Sequence, residues 1–338
     1  GLSAGQPRAE LDAAVALDQA QWRQQRRWLN RHRSELARLA VQLYPVHHRV
    51  PDTTLIAGPG WIPDEPVGLR SLRLTLDEQP HGVAIDKIDV SEALGHELAI
   101  ACLHREDGLL DSAELLRGAL LFRTRIGDPF DFARRAIIPA VTTLTIRLRR
   151  YPAEPSFLLH WRDPGKVATA AGVYDVIPAG EFQPASVALW DRRNDFDLWR
   201  NIVREYSEEL LGTPEHDGTR SKPIDYDAWP LYRELEDAQA AGALAPFVLG
   251  LDLDALTLAA TILTVVVIDD DVFTRAFGAA TRFNDEGEIV AIGDGRATEG
   301  VPFTRDSVRR LLSSEPMASP GAACLALAWR HRHRILGL

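Results

Sequence analysis

Apolar positions recur at helical spacing from the start of the chain. Leu11, Val15, Leu17, Trp22, Trp28, Leu29, Leu36, Leu39, Ala40 and Leu43 form one stripe, and no glycine or proline interrupts residues 9–44 before Pro45. A long amphipathic helix is expected there. Its middle, QWRQQRRWLNRHRSELARL, is basic and carries both tryptophans. Indole rings need a dry surface, so the stripe is expected to pack on the body or on a partner helix, as in a homodimer, rather than to lie on phosphates.

Beyond Pro45 the pattern breaks up. Residues 45–66 read as loop, SLRLTL (71–76) alternates as a strand does, and Val90–His104 reads as a helix capped by Ser91. AIIPAVTTLTIRLRR (136–150) reads as a strand entered through Pro139. SFLLHW (156–161) and GVYDVIPAG (172–180) read as strands of the same sheet. DFDLWRNIVREYSEELLG (195–212) is the strongest helical pattern in the chain, and residues 219–230 form a long loop. LYRELEDAQAAG follows as a helix closed by Gly242, then APFVLGL as a strand. LTLAATILTVVVI (256–268) is expected to begin as a helical turn and end as a central strand. DVFTRAFGAA reads as a short helix, NDEGEIVAI as a turn and strand, and TRDSVRRLL as a helix capped by Thr304. PGAACLALAWRHRHRIL closes the chain as a helix with proline at its start and basic residues in its last turns. Strands and helices so interleaved predict an α/β fold with helices on both faces of a mixed sheet. Three regions are expected: the basic amphipathic helix at 1–50, an extra α/β region at 51–150, and the sheet-containing domain at 151–338.

Composition agrees with a globular protein. The 338 residues are 46% apolar and 25% charged, and such a length buries a core without covalent staples. Cys102 and Cys324 both sit in apolar, helix-like surroundings, which points to a reduced, cytoplasmic protein rather than a disulfide scaffold. The longest apolar run, Leu256–Ile268, is too short for a bilayer, no signal peptide is visible, and no membrane partner is expected. The chain opens at Gly1 with Met317 as its one methionine, so a natural start upstream is expected. Net charge is −10, with +4 over residues 1–50 and therefore −14 over the rest, which excludes a generic nucleic-acid binder. DNA contact is expected only through a domain preceding Gly1. Only three basic residues are lysine (Lys87, Lys166, Lys222), a bias expected from a GC-rich coding sequence.

Most short motifs dissolve under inspection. GLSAG at the start has the letters of a nucleophile elbow but no strand before it. HELAI (96–100) begins like a zinc-protease helix, but Ile100 stands where the second histidine is needed. DPGKV (163–167) lacks the glycine run and hydroxyl of a phosphate loop. GPG and GDG are turns, and neither His47–His48 nor the HRHR at 331–334 has partners at ligand spacing. Asp269, Asp270 and Asp271 follow a buried strand and are expected to cap the next helix rather than hold Mg2+.

Arg204-Glu205-Tyr206-Ser207-Glu208-Glu209 survives. At ~100° per residue, Glu205, Glu208 and Glu209 share one arc of roughly 100°, beside an apolar face of Trp199, Ile202, Val203, Tyr206 and Leu210. Like charges at i, i+3 and i+4 repel by a few tenths of a kcal/mol per pair, and a cation would remove that penalty. Mg2+ takes such oxygen ligands, with water and substrate phosphates completing its shell. Arg204 is placed to reach Glu208 one turn on and hold it. An acidic, solvated helix face accounts for the same spacing.

R-E-Y-S-E-E resembles the R-E-U-x-E-E core of the Nudix box, where U is a bulky apolar residue. Asp175-Val176-Ile177-Pro178-Ala179-Gly180 likewise resembles the strand and P-[GA]-G turn that open that box. The resemblance implies a Nudix-like α/β/α sandwich with a mixed sheet in the C-terminal half. It implies Glu205, Glu208 and Glu209 as ligands of Mg2+ or Mn2+, with Arg204 beside them, and Pro178, Ala179, Gly180 and Glu181 as the substrate-side turn. The box is degenerate. Trp190 and Phe196 stand where its glycine and first glutamate would fall, so an insertion is expected across Glu181–Asp195. Glu181, Asp195 and Asp197 remain as candidates for the loop acid, and Gly212 comes one residue late. The chain is also similar to actinobacterial proteins labelled transcriptional regulators, through DFDLWRNIVREYSEELLG and PIDYDAWPLYRELEDA. Three functions follow: a Mg2+-dependent hydrolase of a nucleoside diphosphate linked to another moiety, a non-catalytic sensor of a nucleotide-like small molecule in a regulator, and a scaffold whose 195–212 helix is an interaction face.

Overall fold

The computed structural model describes residues 63–72, 120–126, 139–149, 154–162, 172–186, 188–214, 222–278, 287–290 and 300–338. The helices expected over 9–44 and Val90–His104, and most of the SLRLTL strand, lie outside these residues. So do Cys102 and most of the region 51–150. The described elements run β1 (Val67–Gly68), α1 (Leu121–Ile126), β2 (Ala140–Leu148), β3 (Ser156–Phe157), β4 (Leu159–Arg162), β5 (Tyr174–Val176) and β6 (Ala179–Glu181). Then come α2 (Leu189–Asn194), α3 (Leu198–Leu211), α4 (Pro230–Ala240), β7 (Leu244–Leu253), β8 (Ala260–Asp269) and α5 (Asp270–Phe277). β9 (Gly287–Val290), β10 (Val301–Pro302), α6 (Arg305–Ser314), α7 (Ser319–Arg330) and α8 (Arg332–Ile335) complete the set.

The main sheet has the order β1-β7-β8-β2-β3-β10, with β6 also pairing to β2. β2 and β8 pair in parallel from Ala140↔Thr261 to Leu148↔Asp269, and the other pairings are antiparallel, so the sheet is mixed. Side chains alternate across it, as the two-residue repeat of a strand requires. Leu144, Ile146, Leu263, Val265 and Val267 face α6, α7 and α8. Val141, Ile262, Val266 and Ile268 face α3, α4 and α5. β8 is therefore apolar on both sides, which explains the run ATILTVVVI, whereas β2 turns Thr143, Thr145 and Arg147 as well as Val141 towards the α3 side. Fully burying each such apolar side chain stabilises the fold by about 1.5–3 kcal/mol. The outcome is an α/β/α sandwich.

Two sequence expectations change. The sheet reaches back across residue 151: β2, expected in the preceding region, is one of its two central strands, and β1 pairs with β7. SFLLHW does not continue in one sheet either. β3 ends at Phe157 in the main sheet, whereas β4 pairs with β5 and β9 in a separate three-stranded antiparallel sheet. GVYDVIPAG divides the same way, β5 in the small sheet and β6 in the large one. Each half of these segments thereby finds its own backbone partners.

The helix ends follow their residues. Thr304 accepts the Ser307 N–H at 3.3 Å and starts α6. Asp269 occupies the cap position of α5 without a side-chain cap bond, while Asp270 pairs with Arg147 at 2.6 Å. Arg123 of α1 donates to the carbonyls of Ala255 and Leu256, fixing the turn that leads into β8. Among the described residues no helix is long and apolar enough to cross a membrane.

Candidate functional site

α3 begins where Asp197 accepts the Arg200 N–H at 2.9 Å. It ends at Gly212, whose φ of 65° is the left-handed conformation that favours glycine. Between these, Trp199, Ile202, Val203, Tyr206 and Leu210 are buried against the sheet, as the apolar arc predicts. The polar arc is not left in water. Asn201, Arg204, Ser207 and Glu209 are also buried, and Glu205 and Glu208 are half-buried.

The turn between β5 and β6 meets this polar face. The Ala179 N–H donates to Glu209 Oε1 at 2.6 Å, and His160 Nδ1 of β4 lies 3.8 Å from Glu209 Oε2. A Cβ built on Gly180 would fall 2.2 Å from Glu205 Cδ, so only a glycine lets that carboxylate sit against the turn. The Pro178 carbonyl accepts the Thr143 N–H at 2.8 Å, which ties the turn to the central strand. The Glu181 carbonyl accepts from the Asn201 amide at 3.0 Å. Below them, Tyr206 Oη lies 2.8 Å from Thr145 Oγ1, which donates to the Ile177 carbonyl at 2.7 Å. Burial pushes the Tyr206 hydroxyl pKa up, the Thr145 bond opposes that rise, and the Glu209 charge adds to it. Pro178, Ala179, Gly180 and Glu181 are thus brought onto α3 beside Glu205 and Glu209, although they lie some 25 to 30 residues away in the chain.

Arg204 does not turn to Glu208. Its Nη1 lies 3.1 Å from Asp195 Oδ2, with the two side chains 5% and 0% exposed, and it donates to the Gln183 carbonyl. Asp195 also accepts from the Ala185 N–H, the Asn194 amide and the Tyr226 hydroxyl, the last at 2.9 Å. Burial raises the Tyr226 pKa foremost; Arg204 and Arg200 pull it down, and Asp195 pushes it up. Of the three acids that spacing left open, Asp195 is therefore the one that meets Arg204. Asp197 is the helix cap, and Glu181 belongs to β6. The short helix α2 ends at Asp195, whose carboxylate meets Arg204 of α3. Spacing alone did not reveal His160 or Tyr226. A lone histidine inside the apolar run SFLLHW was the available signal.

The fit to a metal is poor. Glu209 is buried with one oxygen on a backbone N–H, and Glu205 lies against Gly180. Among the described residues no group of three His, Cys, Asp or Glu side chains is placed to hold a metal ion.

The fold and this junction define an α/β/α sandwich in which an acidic helix is locked to a Pro-Ala-Gly turn. No known protein family's pattern and no curated protein matches the chain. Among solved structures it is similar to a NUDIX hydrolase from Alicyclobacillus acidocaldarius, at 16% identity, 60% coverage of this chain, 96% coverage of that one and a TM-score of 0.32.

Proposed function

We propose that the chain is a ligand-sensing domain of Nudix-like build, in which the box helix serves as scaffold rather than as metal centre. The observation that carries this reading is the state of Glu209: buried, bonded to the Ala179 N–H, and facing His160. One Glu209 oxygen holds the turn and the other faces His160, both in the interior, so the carboxylate is not presented to solvent. The salt bridge from Arg204 to Asp195 serves the scaffold as well, since it fixes the end of α2 against the helix.

A ligand has a place to sit. A cavity of about 390 Å3 opens at the N-terminal end of α3, lined among others by Arg70, Phe196, Asp197, Trp199, Tyr232 and Glu236. That volume suits a small molecule. Aromatic walls with a few charged groups suit a nucleotide-like compound, whose base stacks and whose polar edge is hydrogen-bonded. Six of its lining residues come from the two segments 195–212 and 223–238, and Leu69, Arg70 and Leu72 complete the wall.

Thermal unfolding with ADP-ribose and related dinucleotides, with and without Mg2+, tests the reading. A ligand at a hundred times its Kd raises stability by about 2.7 kcal/mol. A concentration-dependent rise in Tm that Tyr232→Ala abolishes, without release of nucleoside monophosphate, is the expected result. Mg2+-dependent turnover lost in Glu205→Gln and Glu208→Gln would overturn it in favour of the hydrolase.

A further inference from the structure

The last 38 residues carry six arginines against Asp306 and Glu315, a net +4 in a chain of −10, which leaves −14 elsewhere. Two of those arginines line a groove of about 490 Å3 between α6 and α7, on the sheet face opposite α3. Val308, Leu312, Ala326 and Trp329 line it on the apolar side, and Arg305 and Arg309 on the cationic side. The helical repeat accounts for this: Arg305 and Arg309 stand one turn apart, as do Val308 and Leu312.

The walls are held in place. Thr304 caps α6, Phe303 meets the Trp329 ring edge-on at 5.3 Å, and Arg332 lies over that ring at 4.5 Å while donating to the Trp329 carbonyl. The rim is not. Arg305, Arg309 and Arg310 are exposed and take no ion pair or hydrogen bond among the described residues, whereas Arg334 is paired with Glu65 at 3.0 Å. Two guanidinium groups at i and i+4 repel each other, and an anion between them reverses that cost.

We infer that this groove docks a short acidic peptide segment of a partner protein, with an apolar side chain on the Leu312–Trp329 floor and carboxylates on Arg305 and Arg309. Guanidinium groups take carboxylates bidentately, and an apolar floor between them selects a peptide over a bare anion. A long nucleic acid is disfavoured by the negative remainder of the chain, which a short peptide escapes beyond about 8 Å of screening. The inference goes beyond the sensing function and uses the other side of the sheet.

The test is fluorescence anisotropy of a fluorescein-labelled peptide of alternating Glu and Leu. Polyglutamate, a Lys-Leu peptide and oligothymidylate serve as competitors. Saturable binding that weakens with salt, and by about tenfold or more in the Arg305→Glu/Arg309→Glu double variant, is expected. Leu312→Ser weakens it as well, and the unfolding midpoint of the arginine variant stays that of the wild type, since both side chains are exposed. Unchanged affinity in that variant, competition by oligothymidylate as strong as by the peptide, or no saturation by about 1 mM overturns the inference.

Discussion

α3 and α7 cover opposite faces of the same two central strands with opposite chemistry. α7 buries Gly321 through Ala328 without a charged side chain. The Cys324 thiol, its pKa raised by burial, makes a 3.4 Å contact to the Thr142 carbonyl. α3 buries Leu198, Trp199, Ile202, Val203, Tyr206 and Leu210 but adds Asn201, Arg204, Ser207 and Glu209. A buried polar group costs free energy unless it is bonded, and a buried charge costs more unless it is paired. α7 gives the sheet stability at no such cost. α3 gives up part of it to hold the Pro178–Gly180 turn, the end of α2 and a cavity wall in fixed positions. The difference separates a helix kept for packing from one kept for position.

The contrast can be broken most directly at Asp195. Asp195→Ala leaves Arg204 buried without its partner, and urea unfolding should show a loss of about 3–5 kcal/mol. The double variant Asp195→Leu/Arg204→Met should recover most of it. A single-variant loss below about 1 kcal/mol would mean the pair is not structural. On the other face, Leu325→Ala removes a fully buried side chain and should cost about 3 kcal/mol, with ligand-induced stabilisation unchanged. Gly180→Ala displaces the Glu205 carboxylate, the far end of a flexible side chain, from the turn and should cost about 1 kcal/mol. Adding Glu205→Ala removes the clash, so a double-mutant cycle should return a coupling that no pair of distant sites would give.

An equally small effect is expected at Tyr206. Tyr206→Phe removes the hydroxyl facing Thr145 and should cost about 1 kcal/mol at neutral pH. Its pKa is raised in the folded state, so the native form keeps the proton longer than the unfolded chain does. Stability linked to that proton is complete below about pH 10 and falls as pH rises from there through the folded value. Urea midpoints at about pH 9 and pH 11 should therefore drop less in Tyr206→Phe than in the wild type. Equal drops would assign the alkaline loss to other groups, Tyr226 among them.

What was legible followed from local rules. The apolar arc of α3 and its Gly212 end, the strand hidden in 256–268, the Thr304 cap and the proline-led last helix were all readable from spacing and end residues, whereas the start of α3, expected at 195, falls at Leu198 after the Asp197 cap. The association of the Pro178–Gly180 turn with the glutamates of α3 was carried by the resemblance to the Nudix box, and both Glu205 and Glu209 meet that turn. What was not legible depended on distant partners. Wheel geometry puts three carboxylates on one ridge but does not say that a turn will cover part of it. No spacing rule says that SFLLHW changes sheets after Phe157, or that Asp195 at the end of α2 meets Arg204. His160 was invisible for the same reason: its neighbour Glu209 lies on a different element and nearly fifty residues on.

The parallel pairing of β2 with β8 has a consequence for how the chain is made. Thr143 and Thr264, whose hydroxyl oxygens lie 2.7 Å apart, are 121 residues apart. A chain leaving the ribosome holds β2 with one of its two long edges unmatched until β8 emerges. Such separation slows folding, because loop closure is paid before the contacts that reward it. Any fragment ending before Ala260 carries β2 with one side exposed to pairing with other chains, and it should be found with chaperones or in aggregates rather than as a half-formed domain.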